Sequence, residues 1–153
     1  MLFEAPFFKE LRTKKQLAYD IGSYQENVEK HPAFTLYIQS INTDLSTLKK
    51  YFYDFIEWFL IELIELDDSV FDDAKKSILN SLNQKPQNIY AESTRYFSDW
   101  LDNNYEFDSH EKLIDALQIT SKKDLLSLYK KMLIDGYSAN VLIQLRGTKF
   151  SNT

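Results

Sequence analysis

The sequence predicts an α+β fold: a small antiparallel sheet with several helices packed on one face. Three observations carry that expectation. Residues 17–22 and 34–39 alternate apolar and polar positions with a period of two, which is a strand pattern. From residue 48 to residue 133 apolar positions instead recur every three to four residues, the pattern of helices with one buried face. The two patterns are segregated along the chain, so strands and helices do not alternate as they would around a parallel sheet.

Taken in order, Phe3, Phe7, Phe8 and Leu11 predict a helix over residues 3–14, with Pro6 tolerated near its first turn. Leu17, Tyr19 and Ile21 alternate with Ala18, Asp20 and Gly22 and predict a strand from Leu17 to Ser23. A turn around Pro32 leads to a second strand, Phe34 to Ile41. The short connection makes the two strands antiparallel neighbours. Leu48, Tyr51, Phe52, Phe55, Phe59, Leu60 and Leu63 form the apolar face of a long helix, capped by Thr43 or Asn42. The acidic run at residues 67–73 ends it and opens a helix built on Phe71, Ala74, Ile78 and Leu82. Asn88 caps a helix over 88–102 with Ile89, Tyr96, Phe97 and Trp100. A short helix follows over 109–118 on Leu113, Ile114 and Leu117. Thr120 or Ser121 caps the last helix, which buries Leu125, Leu128, Tyr129 and Leu133 and ends before Gly136. A third strand is predicted over 139–146. Three strands make a small sheet, with at least one bare edge unless something pairs with it.

The 153 residues suit one domain or part of a larger one, and 44% hydrophobic with 15% aromatic residues is enough for a core. A net charge of −5 and a pI near 5.0 argue against a nucleic-acid partner. With no cysteine there is no disulfide, thiolate ligand or thiol nucleophile. The most apolar stretch, residues 51–66, is interrupted by Asp54, Glu57, Glu62 and Glu65, so no membrane span is expected. The N-terminus lacks the basic start and cleavage site of a signal peptide. A soluble chain is expected, its compartment open.

The residues offer no complete catalytic apparatus. His31 and His110 are not spaced as a metal pair. Asp67, Asp68, Asp72 and Asp73 suit a helix start and lack the glycine and terminal glutamate of a calcium loop. Three glycines leave no phosphate-cradling loop. Lys14, Lys15, Lys122, Lys123, Lys130 and Lys131 read as solvated helix faces, and Trp58 and Trp100 as core.

Five stretches, in order, resemble the last domain of the insulysin/pitrilysin (insulinase) family of zinc metallopeptidases. FFKELRTKKQLAY at 7–19 resembles F-x-x-L-R-T-x-x-Q-L-G-Y, and FTLYIQS at 34–40 the following strand. LNQKPQNIYAESTRYFSDW at 82–100 resembles K-P-x-x-L-x-x-E-x-x-R-Y-W. NYEFDSHEKLIDAL at 104–117 resembles Y-x-F-D-R-x-E, and ITSKKDLLSLYKKML at 119–133 also has its counterpart. The family's members fold as four similar α+β domains in two halves that close around a chamber. Their zinc lies in the first domain, on an inverted H-x-x-E-H motif and a distal glutamate, and the last domain lacks metal.

The resemblance implies that residues 1–153 are the C-terminal portion of that last, metal-free domain, with its first strands lying before Met1. It implies no cofactor and no catalytic or metal residue in this chain, zinc in the parent protein, and a role in closing the chamber. The implied partners are a peptide substrate and the remaining domains of the same polypeptide. A homodimer of the fragment through its bare sheet edge is a further expectation, and no nucleic-acid or membrane partner is expected.

In the family the arginine of L-R-T and the tyrosine of Q-L-G-Y reach the bound peptide. They correspond to Arg12 and Tyr19, with Phe8 beside them. The plainer reading is that Arg12 complements a helix C-terminus and Tyr19 packs. Three departures stand out: Ala18 replaces the family glycine, Asp20 puts a carboxylate next to Tyr19 that can pair with Arg12, and Ser109 replaces an arginine. The alternative function is a stand-alone protein-interaction module without peptidase activity.

Overall fold

A computed structural model describes residues 2–28, 31–135 and 141–147. Its elements are α1 (Glu4–Phe8), a π-helical continuation (Lys9–Lys14), β1 (Asp20–Val28), β2 (His31–Gln39), α2 (Leu45–Glu65), α3 (Asp68–Leu82), α4 (Ile89–Leu101), α5 (Ser109–Ile119) and α6 (Lys122–Tyr129), followed by a second π-helical segment (Lys130–Ile134). The α+β class is as predicted. The chain forms two compact units, Met1–Glu65 with Leu126–Thr153, and Leu66–Leu125.

In the first unit β1 and β2 pair antiparallel, from Asp20 opposite Gln39 to Val28 opposite His31. Both strands are displaced from the predicted 17–23 and 34–41. Apolar alternation marks only the buried part of a strand, whereas the ladder runs as far as main-chain partners exist. Beyond Ile21, which is buried, the pairing continues through polar residues, and Thr35 Oγ1 donates to Glu26 Oε1 at 2.7 Å. Gly22 lies opposite Tyr37, whose ring covers it; a Cβ there would come within 2.7 Å of the phenol oxygen.

The first unit's core is aromatic. The ring of Phe3 lies 5.1–5.4 Å from the rings of Phe7, Phe34, Phe55 and Phe59. Three of these pairs meet edge to face, each contributing about 0.5–1.5 kcal/mol beyond simple burial. Leu11, Leu48, Ile56 and Leu63 fill the space around them. Tyr129 joins the cluster and donates its hydroxyl to the Ile56 carbonyl at 2.9 Å. Burial pushes that phenol's pKa well above its ordinary value.

Three details depart from expectation here. The predicted helix over 3–14 widens at Lys9: Lys15 N–H reaches back five residues to Glu10 O at 3.1 Å, the π pattern. The cap of α2 is Asp44, not Thr43 or Asn42. Its carboxylate accepts from Thr47 N at 3.0 Å, Thr47 Oγ1 at 2.7 Å and Ser46 Oγ at 2.5 Å. Those bonds, Ser46 first, hold the Asp44 carboxyl far below the usual carboxylate range. Thr43 instead donates to the Leu17 carbonyl at 3.4 Å. Finally, residues 141–147 form no strand, and Ala139 and Asn140 lie outside the described residues. Val141, Ile143 and Leu145 have the right side chains for a strand, but a strand also needs a hydrogen-bonded neighbour. The sheet among the described residues has two strands.

In the second unit, Asp67 caps α3 through Ser69 N at 2.8 Å, and Asn88 caps α4 through Ala91 N at 2.8 Å. Ser121 and Asp124 form a reciprocal cap at the start of α6: Ser121 N donates to Asp124 Oδ2 at 2.9 Å and Asp124 N to Ser121 Oγ at 3.2 Å. Two polar ties join α3 to α5. Lys75 Nζ donates to the carbonyls of Gln118 at 2.7 Å and Thr120 at 2.9 Å. His110 Nε2 lies 2.9 Å from the Leu82 carbonyl, and since a carbonyl only accepts, that nitrogen carries the proton. Against expectation Trp100 is exposed, and so, in the first unit, is Leu128 of α6.

Candidate functional site

Phe8 ends α1, and Arg12 follows it after one wide turn. On the inner side Phe7 and Leu11 are almost fully buried, at 1% and 0% exposure, which fixes the segment against the core. On the outer side Phe8 is 41% exposed and Arg12 lies over it, its guanidinium carbon 4.8 Å from the ring centroid. That distance is within cation–π range. The aromatic face limits where the guanidinium swings without occupying its hydrogen-bond donors.

The chain then reverses. Gln16 takes a φ of 51°, in the left-handed region, and lets the helical segment turn toward β1. Tyr19 N–H donates to the Gln39 carbonyl at 2.8 Å, so its main chain is held at the start of the ladder. Its side chain is 72% exposed. The reading in which Tyr19 packs into the core therefore fails, while Arg12 does sit in the last turn of a helical segment.

The structure thus brings Phe8 and Arg12 into contact. No hydrogen bond or ring contact joins Tyr19 to either of them among the described residues. Nor does Asp20 form an ion pair with Arg12 among the described residues. Sequence reasoning missed a neighbouring contact: Lys15 is not simply solvated, because its ammonium lies 4.8 Å from the centroid of the Tyr51 ring on α2. The contact spans 36 positions of sequence and leaves no local pattern to read. Lys14 instead pairs with Glu10 one turn earlier.

Two functions can be tested against the described residues directly. No group of three or more His, Cys, Asp or Glu side chains is placed to hold a metal ion. No helix is long and apolar enough to cross a membrane. His110 is engaged with a main-chain carbonyl and His31 is an exposed strand residue.

A helical segment, a hairpin and an aromatic-cored set of helices, with no metal-binding group among the described residues, define an α+β domain. Residues 1–97, more than half of the chain, match the model of the PQQ synthase PqqF-like family, C-terminal lobe domain 4, and the chain belongs to that family. It is 29% identical over 129 residues to a nardilysin-like protein of Arabidopsis thaliana, covering 84% of this chain and 13% of that protein. It is 26% identical over 128 residues to the putative zinc protease mug138 of Schizosaccharomyces pombe, again covering 84% of this chain and 13% of the relative. A crystal structure of pitrilysin superposes with a TM-score of 0.76 at 20% identity, over 85% of this chain and 14% of that one. At that identity the likeness concerns the fold alone. The resemblance to an insulinase-family C-terminal domain is borne out. The chain spans 13% of the length of each of these two relatives.

Proposed function

We propose that this chain is the C-terminal portion of the last, metal-free domain of a zinc metalloendopeptidase, where it closes the substrate chamber and contacts the peptide. Arg12, Tyr19 and Phe8 are the contact residues. The observation that carries the reading is the exposed Arg12–Phe8 stack on a buried base, within a segment matched to the family.

The chemistry suits a peptide. A guanidinium presents a planar fork of donors to a carbonyl or carboxylate, and a phenol adds one directional donor. Holding Arg12 on a ring lowers the side-chain entropy lost when substrate arrives. Donors so placed can orient a peptide, or stabilise charge growing on its carbonyl oxygen during attack. The zinc and its activated water belong elsewhere in the parent protein, because the described residues of this chain offer no donor set for a metal. The remaining domains of the same polypeptide and the peptide are the partners of this portion.

The test uses the full-length protein that carries this chain. Arg12→Ala and Tyr19→Phe should each lower peptide kcat/KM, by up to about 10²- to 10³-fold if the group stabilises the transition state and by less if it only orients substrate. Melting temperature should not change, since both side chains are exposed. Unaltered kcat/KM in both variants would overturn the reading.

A further inference from the structure

Three positions after Arg12 the same segment carries a second seated cation that the proposed contact leaves unused. Residues 9–15 hold Lys9, Arg12, Lys14 and Lys15 against Glu10 alone, a local excess of positive charge in a chain of net −5. Lys14 takes up Glu10. Arg12 and Lys15 share a different condition. Each is exposed and forms no ion pair among the described residues, and each rests on an aromatic ring at 4.8 Å, Arg12 on Phe8 and Lys15 on Tyr51. A cation over a ring face is limited in its swing and keeps N–H donors for a second partner.

The carboxylates around this segment are turned away or occupied. Phe34 of β2 touches Phe3, so the hairpin face that carries Phe34 and Ile38, with Ile21 opposite Ile38, is the face turned to the N-terminal helical segment. Tyr19, two residues before Ile21, is in step with that face. Asp20 and Glu26 alternate onto the other face, where the rings of Tyr24 and Tyr37 meet at 6.4 Å. That alternation explains why Asp20 does not pair with Arg12. Glu26 is occupied by Thr35, and Asp44 by the α2 cap. Glu4 lies two turns before Arg12, at the far end of α1. Asp54, one turn along α2 from Tyr51, forms no ion pair with Lys15 among the described residues.

We infer that Lys15 is a specificity-determining residue of this site, and that with Arg12 it selects peptides carrying a carboxylate, from an acidic side chain or from the peptide's own C-terminus. The inference rests on the reading in which this segment meets the peptide. A seated ammonium without a carboxylate partner gains from one and loses less side-chain entropy in taking it. A Lys or Arg of the peptide at the same place would meet like charge and be disfavoured.

The experiment uses the full-length protein and a quenched fluorogenic peptide that it cleaves. One series replaces Gln by Glu at successive positions, and a second compares the free acid with the C-terminal amide. At least one pair should show kcat/KM at least about threefold higher for the member with the carboxylate, with the advantage shrinking as salt rises. An advantage for Glu identifies a side chain, and an advantage for the free acid identifies the peptide terminus. Lys15→Met should bring that ratio close to one, and Lys15→Arg should keep it. The ratio is read on a single enzyme sample, so any loss of folded protein cancels. No carboxylate preference in the wild type, or the same ratio in Lys15→Met, would overturn the inference. If Arg12→Ala then lowers kcat/KM for Glu and Gln peptides alike, the peptide contact stands and only the carboxylate selection falls. Wild-type rates in both Arg12→Ala and Tyr19→Phe would remove the contact itself.

Discussion

Two clusters of aromatic rings, one in each unit, have opposite fates. Around Phe3 the rings of Phe7, Phe55 and Phe59 are buried together with Phe34 of β2 beside Phe3 and Tyr129 of α6 beside Phe59, and the Tyr129 hydroxyl donates to a main-chain carbonyl. Along α4 the rings of Phe97 and Trp100 stack on each other, and with Tyr90 they are exposed to solvent. Both clusters sit on helices with comparable spacing. The difference is that the first has elements on several sides to close over it, and a helix stripe becomes core only when such partners exist. The first cluster therefore contributes stability. The second stays exposed in the described residues and contributes little to it.

The comparison can be broken by mutation, beginning with the largest effect. Phe55→Ala removes a ring that touches Phe3, Phe7 and Phe59, and should destabilise the first unit by about 3–5 kcal/mol in denaturant unfolding. A loss below about 1 kcal/mol would show that the cluster is not a packed core. Tyr129→Phe keeps the ring and deletes only the hydroxyl, so a loss of about 1 kcal/mol is expected, with the mutant's denaturant slope unchanged.

The Asp44 cap is sharpened by pH. Its carboxyl is depressed in the folded state, so its stabilisation is complete above the ordinary carboxylate pKa of 3.8 and is lost as pH falls toward the depressed folded value. Asp44→Ala should lower the melting temperature at neutral pH, and the gap to wild type should narrow steadily in melts below that range. A gap independent of pH would remove the charge from the account. Phe97→Ser stands at the small end. Its side chain is already exposed, so its stability should stay within about 0.5 kcal/mol of wild type. A loss like that of Phe55→Ala would turn the α4 face into core and dissolve the comparison.

The sequence announced some of these features and hid others, for physical reasons. The cap at Asn88 was legible because it is a single cap-forming residue at the edge of a helical pattern, whereas the acidic run at 67–73 announced a helix start without choosing Asp67 as its cap. At the start of α2, Asn42, Thr43 and Asp44 stand in a row, and only local geometry chooses among them. The hairpin was legible, but its limits were not, since main-chain pairing continues past Ile21 where side-chain alternation stops. Residues 139–146 read as a strand from β-propensity alone, and propensity does not supply a neighbour. At the candidate site, the four-residue spacing of Phe8 and Arg12 suits a helical contact. Their singling out with Tyr19 came from the family resemblance. The π-helical widening beneath Arg12 leaves no trace in composition.

The substrate-contact reading is tested most directly by a double-mutant cycle on the full-length protein. Peptide kcat/KM would be measured for wild type, Arg12→Ala, Tyr19→Phe and the double variant, with melting temperatures alongside. If both groups act on one bound peptide, each single change lowers kcat/KM and the double variant departs from the product of the two, while melting stays constant. Wild-type kcat/KM in all three variants would contradict the account and leave Arg12 as no more than a charge at a helix end.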